Sequence, residues 1–200
     1  MSATSATSET RAVRLFAAVL PPDEVVEELG LVVGGLRALA GADRLRWTAP
    51  PGWHFTLAFY GEVERDAVPE LTRRLERAAG RSEPFSLAVR GGGQFGRGRA
   101  LWAGAEGDLG ALRLLADRAE AAARKAGVPM GEHRRYTPHL TVARGRADLD
   151  VRPYVAVLDT FAGRTWTVSD LALVRSDLPT SGVAGEQPRY EAVGRWVLGR

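Results

Sequence analysis

The sequence predicts an α+β fold in which two pseudo-symmetric sheet-and-helix lobes flank a central cleft. Three observations carry that prediction. The pattern His, apolar, Thr, apolar occurs twice, as His54-Phe55-Thr56-Leu57 and His139-Leu140-Thr141-Val142, and takes two of the chain's 3 histidines. Each copy lies in a short apolar stretch bounded by turn formers, the signature of a strand. The elements around the copies run in the same order, strand, helix and motif strand, as an imperfect internal duplication would.

Taken in order, residues 1–11 are rich in Ser, Thr and Ala without an apolar run and are expected to form a disordered tail. Residues 12–200 are expected to form a single bilobal domain. Val13–Leu20 reads as a buried strand stopped by Pro21-Pro22. Asp23 can cap a helix over about Glu24–Leu39, with Glu24, Glu27 and Glu28 near its positive end, Gly34-Gly35 weakening its second half and Gly41 closing it. Arg44–Trp47 is a short extended piece before the turn Ala49–Gly52.

Trp53–Tyr60, between Gly52 and Gly61, is the first motif strand. Alternation puts His54, Thr56 and Ala58 on one face and Phe55, Leu57 and Phe59 on the other. Each side chain fully buried there contributes roughly 1.5–3 kcal/mol. Arg65–Ala79 reads as a helix, with Val68, Leu71, Leu75 and Ala78 on one stripe and Gly80 at its end. Phe85–Arg90 and Ala100–Ala105 read as strands around a glycine-rich loop, Gly91–Gly98. Asp108 caps a long helix to about Ala126, closed by Gly127 and Pro129.

The polar segment Met130–Thr137 includes His133, expected on a surface loop. Pro138 pushes Thr137 into an extended conformation and opens the second motif strand, His139–Arg144. Residues 145–165 fit no single element. Trp166–Ser176 and Arg189–Leu198 read as two strands joined by the loop Asp177–Pro188.

Composition narrows the chemistry. The chain has no cysteine, which removes disulfides, thiolate catalysis and Cys-ligated zinc. Net charge is +3, and the cations are 26 Arg and one Lys, Lys125. A GC-rich coding bias accounts for that preference; an arginine surface for phosphate groups accounts for it as well, since guanidinium matches phosphate bidentately. Arg97, Arg99, Arg134 and Arg135 fall in loops where they can either border a cleft or form an ordinary solvated surface. The run Leu15–Leu20 is too short to span a membrane, which needs about 20 apolar residues. No membrane partner is expected, and a cytoplasmic monomer is.

Two histidines on facing strands can approach one substrate atom from opposite sides. Neutral imidazole removes a proton from an attacking oxygen while imidazolium protonates the departing one, which suits phosphoester cleavage. Thr56 and Thr141 share the histidines' faces, so their hydroxyls can donate to non-bridging phosphate oxygens. No metal or other cofactor is expected. There is no His-x-His or His-Glu-x-x-His spacing, and neither motif carries a carboxylate beside its histidine. No Gly-x-Ser-x-Gly occurs, and no Gly-Lys-Ser/Thr follows the glycine-rich stretch.

These residues resemble the two-histidine (2H) phosphoesterases, specifically the bacterial and archaeal RNA 2′,3′-cyclic phosphodiesterases, historically called 2′-5′ RNA ligases. The resemblance covers most of residues 13–198. It rests on the two His-x-Thr-x signatures, Trp53–Val63 and Pro138–Arg144, with support from Arg14–Pro21, Leu101-Trp102, Ser176, Tyr190 and Trp196. Trp53 and Tyr60 stand where the family usually has Leu, substitutions that leave the chemistry undisturbed.

The resemblance implies metal-independent hydrolysis of RNA 2′,3′-cyclic phosphate ends to 2′-phosphates, with reverse 2′-5′ ligation as a second outcome. It assigns the general acid to His54 and the general base to His139. Thr56, Thr141 and Arg144 would hold the phosphate, and Phe59 and Arg144 would flank the terminal base. Two alternatives stay open: hydrolysis of 2′-5′ oligonucleotides or an ADP-ribose cyclic phosphate, and an RNA-end-binding module without turnover. Phe59 and Arg144 each stand five residues after their histidine, so strict alternation turns both away from the cleft. Each strand must bulge, twist or end after its threonine for these two to reach it.

Overall fold

The structure is a computed structural model and describes residues 12–132, 135–145, 149–181, 183 and 186–200. The expected tail, His133 and Arg134 lie outside these residues. The chain runs β1 (Ala12–Val19), α1 (Asp23–Leu36), β2 (Arg46–Trp47), β3 (Phe55–Glu64), α2 (Val68–Gly80), β4 (Phe85–Phe95), β5 (Ala100–Gly107), α3 (Leu109–Lys125), β6 (Leu140–Arg144), α4 (Arg152–Asp159), β7 (Ala162–Val168), β8 (Asp170–Asp177) and β9 (Arg189–Val197).

The strands form two antiparallel sheets, ordered β3-β1-β8-β9 and β2-β6-β5-β4-β7. Apart from the two-residue β2, the second sheet repeats the first. In each, a motif strand (β3 or β6) pairs with the strand that precedes the intervening helix (β1 or β5). This is the duplication expected from sequence, and the fold is α+β with two pseudo-symmetric lobes.

The lobes exchange helices. α1 follows β1 of the first sheet but lies against β7 and α4 of the second, tied there by Glu28 accepting from Arg164 at 2.7 Å. α3 follows β5 of the second sheet but packs against β3 of the first and against α2. There the Tyr60 hydroxyl donates to the Ala119 carbonyl at 3.2 Å. Buried side chains of both sheets, Leu15, Phe55, Leu87, Leu101, Leu140 and Leu171 among them, join one apolar cluster. Among the described residues no helix is long and apolar enough to cross a membrane.

Four local expectations are corrected. α1 includes Asp23 as its first residue, with Pro22 at the cap, and ends at Leu36, before Leu39, just past the weak Gly34-Gly35 pair. β3 does not stop at Gly61. That glycine sits inside the strand at φ +67°, beside a register shift that leaves Tyr60 as the extra residue. The stretch Trp166–Ser176 is two strands in different sheets, parted at Ser169. Nothing local breaks it; the two halves find different partners.

The glycine-rich segment is the fourth. Gly91, Gly92 and Gly93 belong to β4, and only the turn to β5 is loop. A Cβ on Gly92 would stand 2.4 Å from the Leu158 Cβ, and one on Gly93 would stand 2.4 Å from the Trp102 ring. The glycines therefore let α4 and Trp102 settle onto the strand, a close approach no other residue permits. Residues 145–165, unassigned from sequence, supply that helix, with Tyr154 and Leu158 buried.

Candidate active site

Each histidine stands immediately before its strand, His54 ahead of β3 and His139 ahead of β6, because β3 starts two residues after the expected Trp53 and β6 one residue after the expected His139. The threonines two residues on lie in the first turns of pairing. Thr56 opposes Ala18, and Thr141 opposes Trp102.

Both strands then bulge at the same place. Ala58 opposes Ala17 directly after Thr56 opposes Ala18, so Leu57 is an extra residue. Ala143 opposes Leu101 directly after Thr141 opposes Trp102, so Val142 is an extra residue. A bulge of one residue inverts the alternation beyond it. Phe59 then opposes Phe16, and Arg144 opposes Ala100. Phe16 shares a face with Ala18, and Ala100 with Trp102. Phe59 therefore returns to the face of Thr56, and Arg144 to the face of Thr141.

The burial pattern agrees. Leu57 and Val142 are buried, whereas Phe59 is 50% exposed and Arg144 is exposed. The Arg14 guanidinium lies over the Phe59 ring at 4.7 Å. The face assignment of Phe59 by strict alternation is thus overturned, and the bulge that its fifth-residue position required is present in both copies.

Aromatic rings hold both imidazoles. Phe16 lies 4.6 Å from His54, and Tyr190 meets it edge-on at 5.3 Å. Phe95 meets His139 edge-on at 4.9 Å, with Trp102 at 6.5 Å. His139 Nδ1 lies 2.8 Å from the Thr137 carbonyl. A carbonyl only accepts, so Nδ1 carries hydrogen and Nε2 is left as the nitrogen that exchanges protons.

Burial first, and the charge of His139 second, hold His54 well below the ordinary histidine value, at about 4. The two histidines are thus near enough to act on each other, and His54 is neutral at pH 7. Burial pushes the Tyr190 phenol up, while the guanidiniums of Arg144, Arg14 and Arg46 act in the other direction. Three arginines are thereby near enough to act on a ring that meets His54. Among the described residues no three His, Asp or Glu side chains gather as metal ligands would.

The low value of His54 bears on stability. The unfolded chain binds this proton more tightly, so stability is full above about pH 6.5 and falls as pH drops toward 4. The loss at the acid end is at most roughly 3 kcal/mol. His54→Asn is expected to remove this part of the pH dependence, read as the difference in urea unfolding free energy between pH 7 and pH 4.5. An unchanged difference would show that His54 is not held neutral.

Of the residues named from sequence, His54, Thr56, His139, Thr141, Arg144 and Phe59 all fall on the paired motif strands or directly before them. Sequence reasoning gave no site role to Phe95 and Arg46, and took Arg14, Phe16, Trp102 and Tyr190 only as points of resemblance. Arg97 lines a cavity beside α4 together with Leu149 and Val155.

Comparison with known proteins agrees with this architecture. Residues 21–180 match the family model described as the 2′-5′ RNA ligase superfamily. An RNA 2′,3′-cyclic phosphodiesterase of Thermus thermophilus is 32% identical over 200 residues, covering 90% of this chain and 96% of that protein. One of the same name from Geobacillus stearothermophilus is 28% identical over 156 residues, and the match spans 47% of its length and 76% of this chain. The crystal structure of Escherichia coli LigT complexed with 3′-AMP superposes with a TM-score of 0.73 at 25% identity, covering 94% of this chain and 99% of that one. With a family model matched over most of its length and a His-x-Thr motif present in two copies, the chain belongs to the 2′-5′ RNA ligase superfamily.

Proposed function

We propose that this protein hydrolyses RNA 2′,3′-cyclic phosphate ends to 2′-phosphomonoesters by two-histidine general acid–base catalysis, without a metal. The observation that carries the reading is the matched bulge. It returns the fifth residue after each histidine, Phe59 or Arg144, to the face of the threonine in both motif strands, with the histidine directly before each strand. Names borne by the relatives support the substrate class, and so does a LigT structure holding a nucleotide.

In the reaction one imidazole takes a proton from water as its oxygen attacks phosphorus. The bond from phosphorus to O3′ breaks, and the other imidazole, protonated, gives its proton to O3′. The product keeps the phosphate on O2′. Thr56 and Thr141 donate hydroxyl hydrogens to the non-bridging oxygens, Arg144 adds a guanidinium, and Phe59 stacks on the terminal base. With the 5′ hydroxyl of a second strand attacking phosphorus in place of water, the same steps break the bond to O3′ and join the two strands through O2′, which is the 2′-5′ ligation of the family's name.

His54 is the acid by resemblance, yet burial and the charge of His139 keep it neutral at pH 7. A bound phosphodiester anion reverses the local field and draws a proton onto the pair, so the acid is charged only when substrate is seated. The protein acts in this way as a cytoplasmic monomer.

The test is product analysis in EDTA on a cyclic-ended RNA, a 2′-5′ oligonucleotide and an ADP-ribose cyclic phosphate. The expected result is a 2′-phosphate from the cyclic-ended RNA with the highest kcat/KM. Tight binding of a 2′-phosphate end with no hydrolysis of the cyclic form would replace the enzyme with a binding module. Preference for either other substrate would move the reading within the superfamily.

A further inference from the structure

We propose that Arg46 seats a second phosphate of the substrate, the phosphodiester on the 5′ side of the cyclic end, so that the site reads an oligonucleotide end and not a lone cyclic nucleotide. This rests on the function proposed above.

β2 is only two residues long, and each points to a different face. Trp47 opposes Ala143 and turns toward the core, its ring 6.1 Å from Tyr154 and its indole N–H donating to the Ala42 carbonyl at 2.9 Å. Arg46 opposes Arg144 and so takes the other face, the one that carries Arg144 and Thr141.

Two arginines directly opposite in an antiparallel pair repel each other. Neither Arg46 nor Arg144 has a carboxylate partner among the described residues, although many arginines elsewhere do, Arg73, Arg90 and Arg152 included. The pair is nevertheless held in place. Gln187 from the β8–β9 loop donates to the Trp47 carbonyl at 2.5 Å and accepts from the Ala49 N–H at 2.8 Å. Thr48 N–H donates to the Val142 carbonyl at 2.9 Å. A short strand pinned by a long loop thus holds an uncompensated cation beside the one assigned to the reacting phosphate. Anions relieve that repulsion.

The chemistry of the substrate selects the anion. The reacting phosphate bridges O2′ and O3′ of the last nucleotide, and the only other phosphate on that nucleotide is the one on its O5′. A cyclic mononucleotide lacks that diester, whereas a dinucleotide has one. A guanidinium next to Arg144 therefore discriminates between the two.

The test compares kcat/KM on a 2′,3′-cyclic mononucleotide and on a dinucleotide ending in the same cyclic phosphate. Arg46→Gln is expected to cut the dinucleotide-over-mononucleotide preference about 10-fold, through KM, with Arg46→Lys restoring part of it. The salt dependence of the dinucleotide KM should weaken by about one phosphate contact. Equal losses on both substrates, or none on either, overturn the proposal. If the protein cleaves neither substrate, the proposed reaction has failed. Binding of the 2′-phosphate dinucleotide against the 2′-phosphate mononucleotide then decides the role of Arg46 by the same ratio.

Discussion

Replacing either His54 or His139 with alanine is expected to lower kcat/KM on a cyclic-ended RNA at least about 10²-fold, and replacing both is expected to cost little more. The reason is that attack and departure share one transition state. An imidazole that can take the water proton gains nothing if the O3′ oxygen must leave without one, and the converse holds as well. Non-additivity is therefore the sharper half of the expectation. Two independent contributors would multiply, to about 10⁴-fold in the double variant, while two parts of one device saturate near the single loss.

The two single variants should differ in one respect. With His139 gone, His54 loses the neighbouring charge that helps to hold it near 4, but keeps the larger burial effect. Its titration, followed by NMR in the His139→Ala protein, should move up without reaching the ordinary value. Activity and titration are measured in EDTA on protein whose circular dichroism is native. Full activity in either single variant sinks the two-histidine mechanism.

How much of this was legible beforehand depends on which forces set each feature. The two His-x-Thr strands were readable because alternation and turn residues are local, and because two of 3 histidines shared a pattern. The bulges were not readable from the residues that make them. Leu57 and Val142 look like any inward-facing apolar residue, and both are buried. Only the equal spacing of Phe59 and Arg144 pointed to a distortion, and it needed the opposing strand to say where.

Gly91–Gly93 failed in the opposite sense. Glycine disfavours strands intrinsically, yet here Leu158 and Trp102 leave no room for a Cβ, so tertiary packing outweighs propensity. Ser169 failed because the crossing from one sheet to the other needs no local breaker. Arg46 carried no signal at all, since a like-charge pair exists only once β2 has found β6.

Arg144→Ala is expected to lower kcat/KM about 10–100-fold on cyclic mononucleotide and dinucleotide alike, with Arg144→Lys recovering part of the loss. A hydrogen bond to a charged group contributes about 1.5–3 kcal/mol, which sets that range. The sign follows from position. Arg144 stands three residues beyond Thr141, and the extra residue Val142 turns it back to the threonine's face, so its guanidinium serves the phosphate that the threonine serves. Because that phosphate is present in both substrates, the loss should not depend on chain length, in contrast to Arg46. Lysine keeps the charge but not the planar fork, so recovery in Arg144→Lys separates attraction from bidentate geometry. Folding should be little affected, since Arg144 is exposed and removing it relieves the repulsion with Arg46. A higher melting temperature together with lower activity in Arg144→Ala is therefore the signature of a cation kept for its substrate at a cost to the fold. Unchanged kcat/KM in that variant would mean that the matched bulge of β6 delivers no functional side chain to the cleft.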